Sequence, residues 1–310
     1  MKSAWVTGAA GFIGSHLVRR LAHNGRNVCG IDLAPCSPQL TDYVTDWKTG
    51  SLELDRLSEL AGETGLPEVI FHLAGGSSVG SSLAEPHADF NSTVIGTVQL
   101  LEWVRAFAPS VPIVLVSSAA VYGDLHAGPI AEDAATKPFS PYGAHKFAME
   151  TIYRGWAGSF GLSAVVVRLF SVYGSGLRKQ LLWDLCTRLE SNPHDVVLGG
   201  TGDELRDWTH VDDVVRALDV ATRFATPQVP IINAGTGEAG SVRQVAERVL
   251  HNFGRKPGCL SFSGASRPGD PFSLLGKPGI LDVEGFTWSI DIEAGIDDYV
   301  RWFKAQGRVD

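Results

Sequence analysis

The sequence predicts an α/β fold, a parallel sheet with helices on both faces, and three observations lead there. Short β-branched runs alternate with longer segments of helical period. The runs are strongly apolar, as strands buried on both faces are. A glycine-rich turn follows the first run, and an acidic residue closes the second.

The strands are read, in order, at "AWVTG", "NVCGID", "VIFHLAG", "PIVLVSS", "LSAVVVRLF" and "PIINAG". Between the first two, Phe12, Ile13, Leu17 and Leu21 recur at helical spacing, and Asn24 with Gly25 supplies the stop. That completes one βαβ unit. After "VRLFSVYG" the texture changes: Gly, Pro, Trp and charge are mixed through residues 174–206 and again through 254–285, which predicts a second, smaller lobe. Between these excursions "THVDDVVRALDVATRF" reads as a helix and "PIINAG" as a strand returning to the main sheet. The expected division is a doubly wound, Rossmann-type domain over 1–173 plus about 207–253, and a smaller α+β substrate lobe over about 174–206 plus 254–310.

Composition bounds the function. With 44% hydrophobic and 19% charged residues, the 310-residue chain suits a compact protein with a large core. A net charge of -8 argues against a nucleic-acid binder, which needs clustered Lys and Arg. Cys29, Cys36, Cys186 and Cys259 lack CxxC spacing, so neither a metal site nor a disulfide framework is expected, and a reducing cytoplasm is. No run of about 18 apolar residues and no basic leader is present, so neither a membrane span nor a signal peptide is expected.

"VTGAAGFIGSHL" places Gly8, Gly11 and Gly14 between a strand and a helix, where backbone N–H groups and the positive helix end can face a pyrophosphate. The spacing is GxxGxxG, and a glycine-rich turn alone is weak evidence. Asp32 strengthens it. It stands 18 residues beyond Gly14 at the end of the next strand, close to the ~20 expected of an acid that accepts from a ribose 2′-hydroxyl. A carboxylate repels a 2′-phosphate, and Leu33, Ala34 and Pro35 offer no cation, so NAD is favoured over NADP.

In "SPYGAHK", Ser140 is an N-cap candidate and Pro141 a first helical residue, which puts Tyr142 in the first turn and Lys146 one turn later on the same face. Such spacings are common on ordinary helices. Bringing a free tyrosine from a pKa of about 10 to near 7 takes about 4 kcal/mol. An ammonium about 4 Å away supplies that order of energy in a sheltered site and only about 1 kcal/mol in water. A partly dry cleft is therefore required. "VLVSSAAVYG" ends a strand at the carboxyl edge of the sheet, where doubly wound folds bind ligands, and offers Ser118 to the same substrate oxygen.

These motifs, in order with "HLAG", "DFNSTVIGTVQLLE", "VRLFSVYG", "RDWTHVDDVV", "NAGTG" and "SRPGDP", resemble the extended short-chain dehydrogenase/reductases, specifically the NAD-dependent sugar-nucleotide epimerase/dehydratase family. The resemblance implies a catalytic Ser118, Tyr142 and Lys146, with Tyr142 as base. It implies NAD held by Gly8, Gly11, Phe12, Ile13, Gly14, Asp32, Leu73, Ala74, Gly75, Tyr142 and Lys146, with Asp46 and Trp47 similar to the adenine-contacting segment. Ser118, Ser171, Arg206, Arg267 and Asp270 would meet a nucleoside-diphosphate sugar, the arginines through a planar fork suited to phosphate. It also implies a homodimer through the 91–107 and Tyr142 helices. Three departures inform the expectation. Ala119 and Ala120 stand where the family's dehydratases carry Asp-Glu, which makes dehydration unexpected; Ser171 replaces a common Asn, and Ser77 stands where some 4-epimerases have Lys. The expected activity is 4-epimerisation, with a sugar-nucleotide 4-dehydrogenase or 4-ketoreductase as alternative and a non-catalytic NAD sensor as the reading from another class.

Overall fold

The structure is a computed structural model that describes residues 3–191, 196–265 and 271–307. The first elements are β1 (Ser3–Thr7), α1 (Phe12–His23), β2 (Asn27–Asp32), β3 (Asp46–Thr49), α2 (Leu54–Thr64) and β4 (Val69–His72). There follow α3 (Val79–Ala84), α4 (Pro86–Phe90), α5 (Gly96–Phe107), β5 (Ile113–Ser118), α6 (Pro141–Phe160) and β6 (Ala164–Leu169). The chain continues through β7 (Ser171–Tyr173), α7 (Gln180–Ser191), β8 (Val196–Leu198), β9 (Leu205–His210), α8 (Val211–Ala221) and β10 (Ile231–Ala234). It ends with β11 (Ala239–Ser241), α9 (Val242–Asn252), β12 (Leu260–Phe262), β13 (Ser273–Leu274), α10 (Ile280–Val283) and α11 (Ile292–Ala305).

Two compact units result, one of residues 1–123, 132–169 and 215–233, the other of 124–131, 170–214 and 234–310. Residues 124–131, 170–173, 207–214 and 234–253, which the sequence reading grouped with the nucleotide-binding part, thus fall in the second unit, because β7 and β11 pair with β9 and Ile130 bridges to Gly276.

The first unit holds a seven-stranded sheet in the order β10-β6-β5-β4-β1-β2-β3, and β1 to β6 pair in parallel. All six strands read from the sequence are present; β3, short and at the edge, is the added one. Trp5, Ile70, Ile113, Leu115 and Val166 pack with Leu57, Leu60, Leu100, Trp103, Met149 and Tyr153 from the helices, and Trp5 and Trp103 lie 5.0 Å apart. Alternate residues Ala4, Val6, Phe71 and Val114 are equally buried, so both faces of the sheet are covered. Each such Leu or Ile contributes about 1.5–3 kcal/mol.

The second unit is α+β. Its central strand β9 pairs antiparallel with β11 and parallel with β13 and β7, while β8 and β12 form a separate pair. Asp207 on β9, fully buried, accepts from the backbone N–H groups of Thr236, Gly237 and Gly276 at 2.8–3.0 Å and fastens three stretches of chain.

Candidate active site

Backbone shapes the turn after β1. Gly8 has φ +70°, and a Cβ there would meet the backbone of Leu73 and Ala74 at 2.8–2.9 Å. A Cβ at Gly14 would run into the carbonyl oxygen of Gly8. The turn is bonded to β2 through Gly8 N–H to the Ile31 carbonyl, 2.8 Å. Gly11 is the N-cap of α1 and no side chain caps that end, so the first N–H groups, next to Phe12 and Ile13, face outward at the positive end of the helix. Asp32 accepts from Ala10 N–H at 2.9 Å and Ala34 N–H at 3.0 Å, which orients its carboxylate at the tip of β2 and leaves lone pairs for hydroxyl donors. A tight, backbone-lined anion cradle beside an oriented carboxylate fits a dinucleotide with free ribose hydroxyls.

Asp46 and Trp47 lie on β3 beside β2. The Trp47 indole covers Gly30, where a Cβ would strike the ring, and its Nε1–H donates to the Ala34 carbonyl at 3.2 Å, pinning the segment after Asp32.

Leu73, Ala74 and Gly75, after β4, are tied to β1 by Leu73 N–H to the Thr7 carbonyl and Ala74 N–H to Thr7 Oγ1, both 3.1 Å. One ordered chain of donors follows. Thr97 donates to the Thr93 carbonyl at 2.6 Å and so accepts from His72 Nε2–H at 2.9 Å; His72 Nδ1 then accepts from the Thr7 hydroxyl at 2.8 Å. The imidazole is neutral. Burial, helped by the Lys146 charge, takes its pKa down to about 3.

At the far end of β5, Ser118 closes the strand and accepts from Ala120 N–H at 3.1 Å. The helix α6 starts as the sequence implies, with Ser140 Oγ accepting from Gly143 N–H at 3.1 Å and Pro141 in the first turn. A Cβ at Gly143 would lie 2.7 Å from the Ala120 carbonyl, so a glycine lets the helix approach the strand end. Tyr142 N–H donates to Ser82 at 3.0 Å, and the half-buried phenol lies near enough to Ser118 for that hydroxyl to pull its pKa down. Lys146, 3% exposed, donates to the Val116 carbonyl at 3.2 Å. Tyr142 thus comes near Ser118 at the end of β5, and Lys146, one turn further along α6, is tied to the same strand at Val116.

The charges around them are less simple than the sequence implied. Burial raises the Tyr142 phenol above its ordinary value, the Ser118 hydroxyl pulls it back, and the Asp89 carboxylate raises it further. Burial lowers the Lys146 amine to about 8, against Asp89 and Glu150, which favour its charged form. Lys146 remains mostly protonated at neutral pH.

Further residues stand around this site that the sequence reading did not single out. Glu150 (fully buried) and Arg168 (2% exposed) form a bidentate pair, Oε1–Nε 3.0 Å and Oε2–Nη2 2.7 Å, and Ser117 donates to Glu150 at 2.5 Å. The Arg168 guanidinium lies 4.6 Å from the Tyr122 ring centre. Asp89 on α4 meets His145 Nδ1 at 2.6 Å. Helical spacing from Lys146 could have found Glu150; Asp89, 56 residues from His145, had no such signal.

Of the residues read as substrate contacts, Ser171 begins β7 opposite Trp208, and Arg206 on β9 donates to the carbonyls of Leu205 and Phe272 at 2.8 and 3.3 Å. Both belong to the second unit. Arg267 and Asp270 lie outside the described residues. Among the described residues, no cluster of three or more His, Cys, Asp or Glu is disposed to hold a metal, and no helix is long and apolar enough to cross a membrane.

Comparison with known proteins follows the same lines. The profile of the NAD dependent epimerase/dehydratase family matches residues 4–235. A probable UDP-glucuronate 4-epimerase of Rhizobium meliloti is 28% identical over 333 aligned residues, covering 96% of each chain. MoeE5, solved in complex with UDP-glucuronic acid and NAD, is similar with a TM-score of 0.85 at 32% identity, over 98% of this chain and 99% of that one. The UDP-glucose 4-epimerase of Thermotoga maritima with UDP-glucose gives a TM-score of 0.88 at 27% identity, over the same shares. The glycine turn, the oriented Asp32 and the family profile spanning most of the sequence agree: this chain belongs to the NAD-dependent epimerase/dehydratase family and is an enzyme that uses NAD.

Proposed function

We propose that the protein is a 4-epimerase of a nucleoside-diphosphate sugar, a UDP-hexose or UDP-hexuronic acid like those bound by its structural relatives. The observation that carries this reading is the convergence of Ser118, Tyr142 and Lys146 at the carboxyl end of β5. Gly8, Gly11, Phe12, Ile13, Gly14, Asp32 and the 73–75 loop would hold NAD, with Asp46 and Trp47 flanking the adenosine side; NAD bound there would supply a reversible hydride acceptor for C4.

Tyr142 takes the C4 hydroxyl proton and returns it after the 4-keto sugar has turned over. Ser118 donates to the same oxygen. Lys146 supplies the positive charge that the phenolate needs, and burial keeps that charge from being screened. Ala119 and Ala120 place no carboxyl group after Ser118, so nothing there protonates a leaving hydroxyl and the reaction stops at epimerisation. Arg206, Ser171, Arg267 and Asp270 are the proposed grip on the nucleoside diphosphate.

A homodimer through α5 and α6 accords with the exposed apolar side chains they carry, Phe107 (55%) and Phe160 (50%). The free cysteines accord with the reducing cytoplasm.

The test is to offer UDP- and dTDP-sugars without added cofactor and follow C4 configuration by NMR. Epimer formation, lost in Tyr142→Phe while NAD stays bound, is the expected result. Accumulation of NADH would replace epimerisation by net oxidation, and unchanged turnover in Tyr142→Phe would remove the base. Light scattering that gives a monomer at micromolar concentration would refute the dimer.

A further inference from the structure

A carboxylate beside a base that must become an anion is an electrostatic liability. Asp89 is such a group. It is 6% exposed, it sits on α4 where that helix packs on α6, and its charge disfavours the Tyr142 phenolate and favours the Lys146 ammonium. Its position is fixed by packing: one oxygen rests against Gly76 so closely that a Cβ at residue 76 would overlap it. The other oxygen meets His145 Nδ1 at 2.6 Å, and the His145 ring sits edge-on to Phe90 at 5.4 Å.

His145 lies between the two residues of the site in chain order, three after Tyr142 and one before Lys146. Its ring is 17% exposed, so it turns inward onto α4 rather than into water.

We propose that His145 is a positioning residue for the base: its Nδ1–H holds the Asp89 carboxylate and offsets its charge, so that the phenol of Tyr142 is ionised against a compensated neighbour. An acceptor without a donor would direct its full field at the phenol, and in a sheltered site that field is strong. Among the described residues, the other polar and charged groups that act on Tyr142 and Lys146 have partners of their own. Ser118 faces the phenol from β5, and Ser82 on α3 takes the Tyr142 N–H. Lys146 has Val116, His72, Asp89 and Glu150 around it, and Glu150 is held by Arg168 and Ser117. His87, also on α4, is engaged with Asn91. Asp89 is thus the carboxylate acting on the phenol, and His145 is its partner.

This inference rests on Tyr142 being the base, but its test needs no turnover. The phenol is titrated by phenolate difference absorbance in NAD-loaded protein, each variant measured against its Tyr142→Phe counterpart so that other tyrosines cancel. Asp89→Asn is expected to lower the Tyr142 midpoint by about half a unit or more, and His145→Leu to raise it by a similar amount. His145→Asn, which keeps a donor near the same place, should restore most of the wild-type value. In the Asp89→Asn background, His145→Leu should do nothing, since the charge it compensates is gone. Equal midpoints throughout, or a rise in the double variant equal to that in His145→Leu, would overturn the proposal. Loss of activity in Tyr142→Phe is read separately, so failure of the base assignment and failure of the His145 role give different results.

Discussion

The two ends of the candidate site, behind β1 and behind β5 on the carboxyl edge of the main sheet, are built on opposite principles. After β1 the chain works by leaving side chains out: Gly8, Gly11 and Gly14 let backbone approach backbone, and added carbon collides with carbonyls. After β5 it works by putting charged side chains in and burying them: Lys146, Glu150, Arg168 and Asp89 are each below a tenth exposed. The first end is a steric device, set by shape. The second is an electrostatic one, where each charge tolerates burial only because another is beside it. Added volume should therefore harm the first end, and a change of charge at constant volume the second.

The largest expected effect is at the electrostatic end. Glu150→Gln changes almost no volume but leaves the Arg168 guanidinium buried against a neutral group, and removing one partner of such a pair costs about 3–5 kcal/mol. Urea unfolding should show that loss. Arg168→Met in the same background should recover part of it, because the uncompensated charge then disappears. If Glu150→Gln were neutral, the contrast between the two ends would collapse.

Gly14→Ala is the matching change at the steric end, one methyl with no charge. The Cβ cannot avoid the Gly8 carbonyl unless the turn opens, so overpacking of about 1–3 kcal/mol is expected together with weakened NAD binding. Calorimetric titration with NAD reads the second effect directly. The same methyl at Gly62, inside α2 where a Cβ would find open space, should leave NAD binding unaltered and raise stability by about 0.5–1 kcal/mol through helix propensity.

This contrast also explains what could be read from the sequence. A steric demand is written in residue type, so the glycine turn, Asp32 at the strand end and the Ser140-Pro141 start of α6 were legible, as were the apolar runs that became β1, β2, β4, β5, β6 and β10. Edge strand β3, "DWKT", was not, because it is short and half-exposed and its Trp is committed to covering Gly30. Charge compensation is written in pairs. Asp89 and His145 are 56 positions apart, Glu150 and Arg168 are 18 apart, and the Thr7–His72–Thr97 chain joins three segments, so no local window contains them. The placement of 234–253 escaped for a similar reason: Ala239–Ser241 pairs with β9 through register and not through composition.

His72 tests whether the two ends are truly separate, since it is neutral because of burial and the Lys146 charge, yet bonded to the strand that carries the glycine turn. Its folded pKa of about 3 lies below the unfolded value near 6.5. Below about 6.5 the unfolded chain therefore binds a proton that the folded one refuses, and stability falls as pH drops from there toward 3. A decline on the order of a few kcal/mol is expected over that window, with His72→Gln, which retains a donor and an acceptor, flattening it. Denaturant midpoints taken across pH 7 to 4 measure both. An unchanged slope in His72→Gln would assign the acid sensitivity to other groups.

The smallest expected effect concerns Lys146. With its amine near pKa 8, the ammonium that supports the phenolate is lost as pH rises through that value, which predicts an alkaline fall in kcat/KM of the free enzyme. Asp89 and Glu150 both favour the charged form, so neutralising either should move that fall to lower pH by less than about one unit. Asp89→Asn is the cleaner variant, because Glu150→Gln also strips Arg168 of its partner. Gly14→Ala should leave the position of the fall alone while lowering NAD affinity, since it adds volume and no charge. A shift in Gly14→Ala as large as in Asp89→Asn would mean that opening the turn lets water reach the amine, and the steric and electrostatic ends would then be one coupled device.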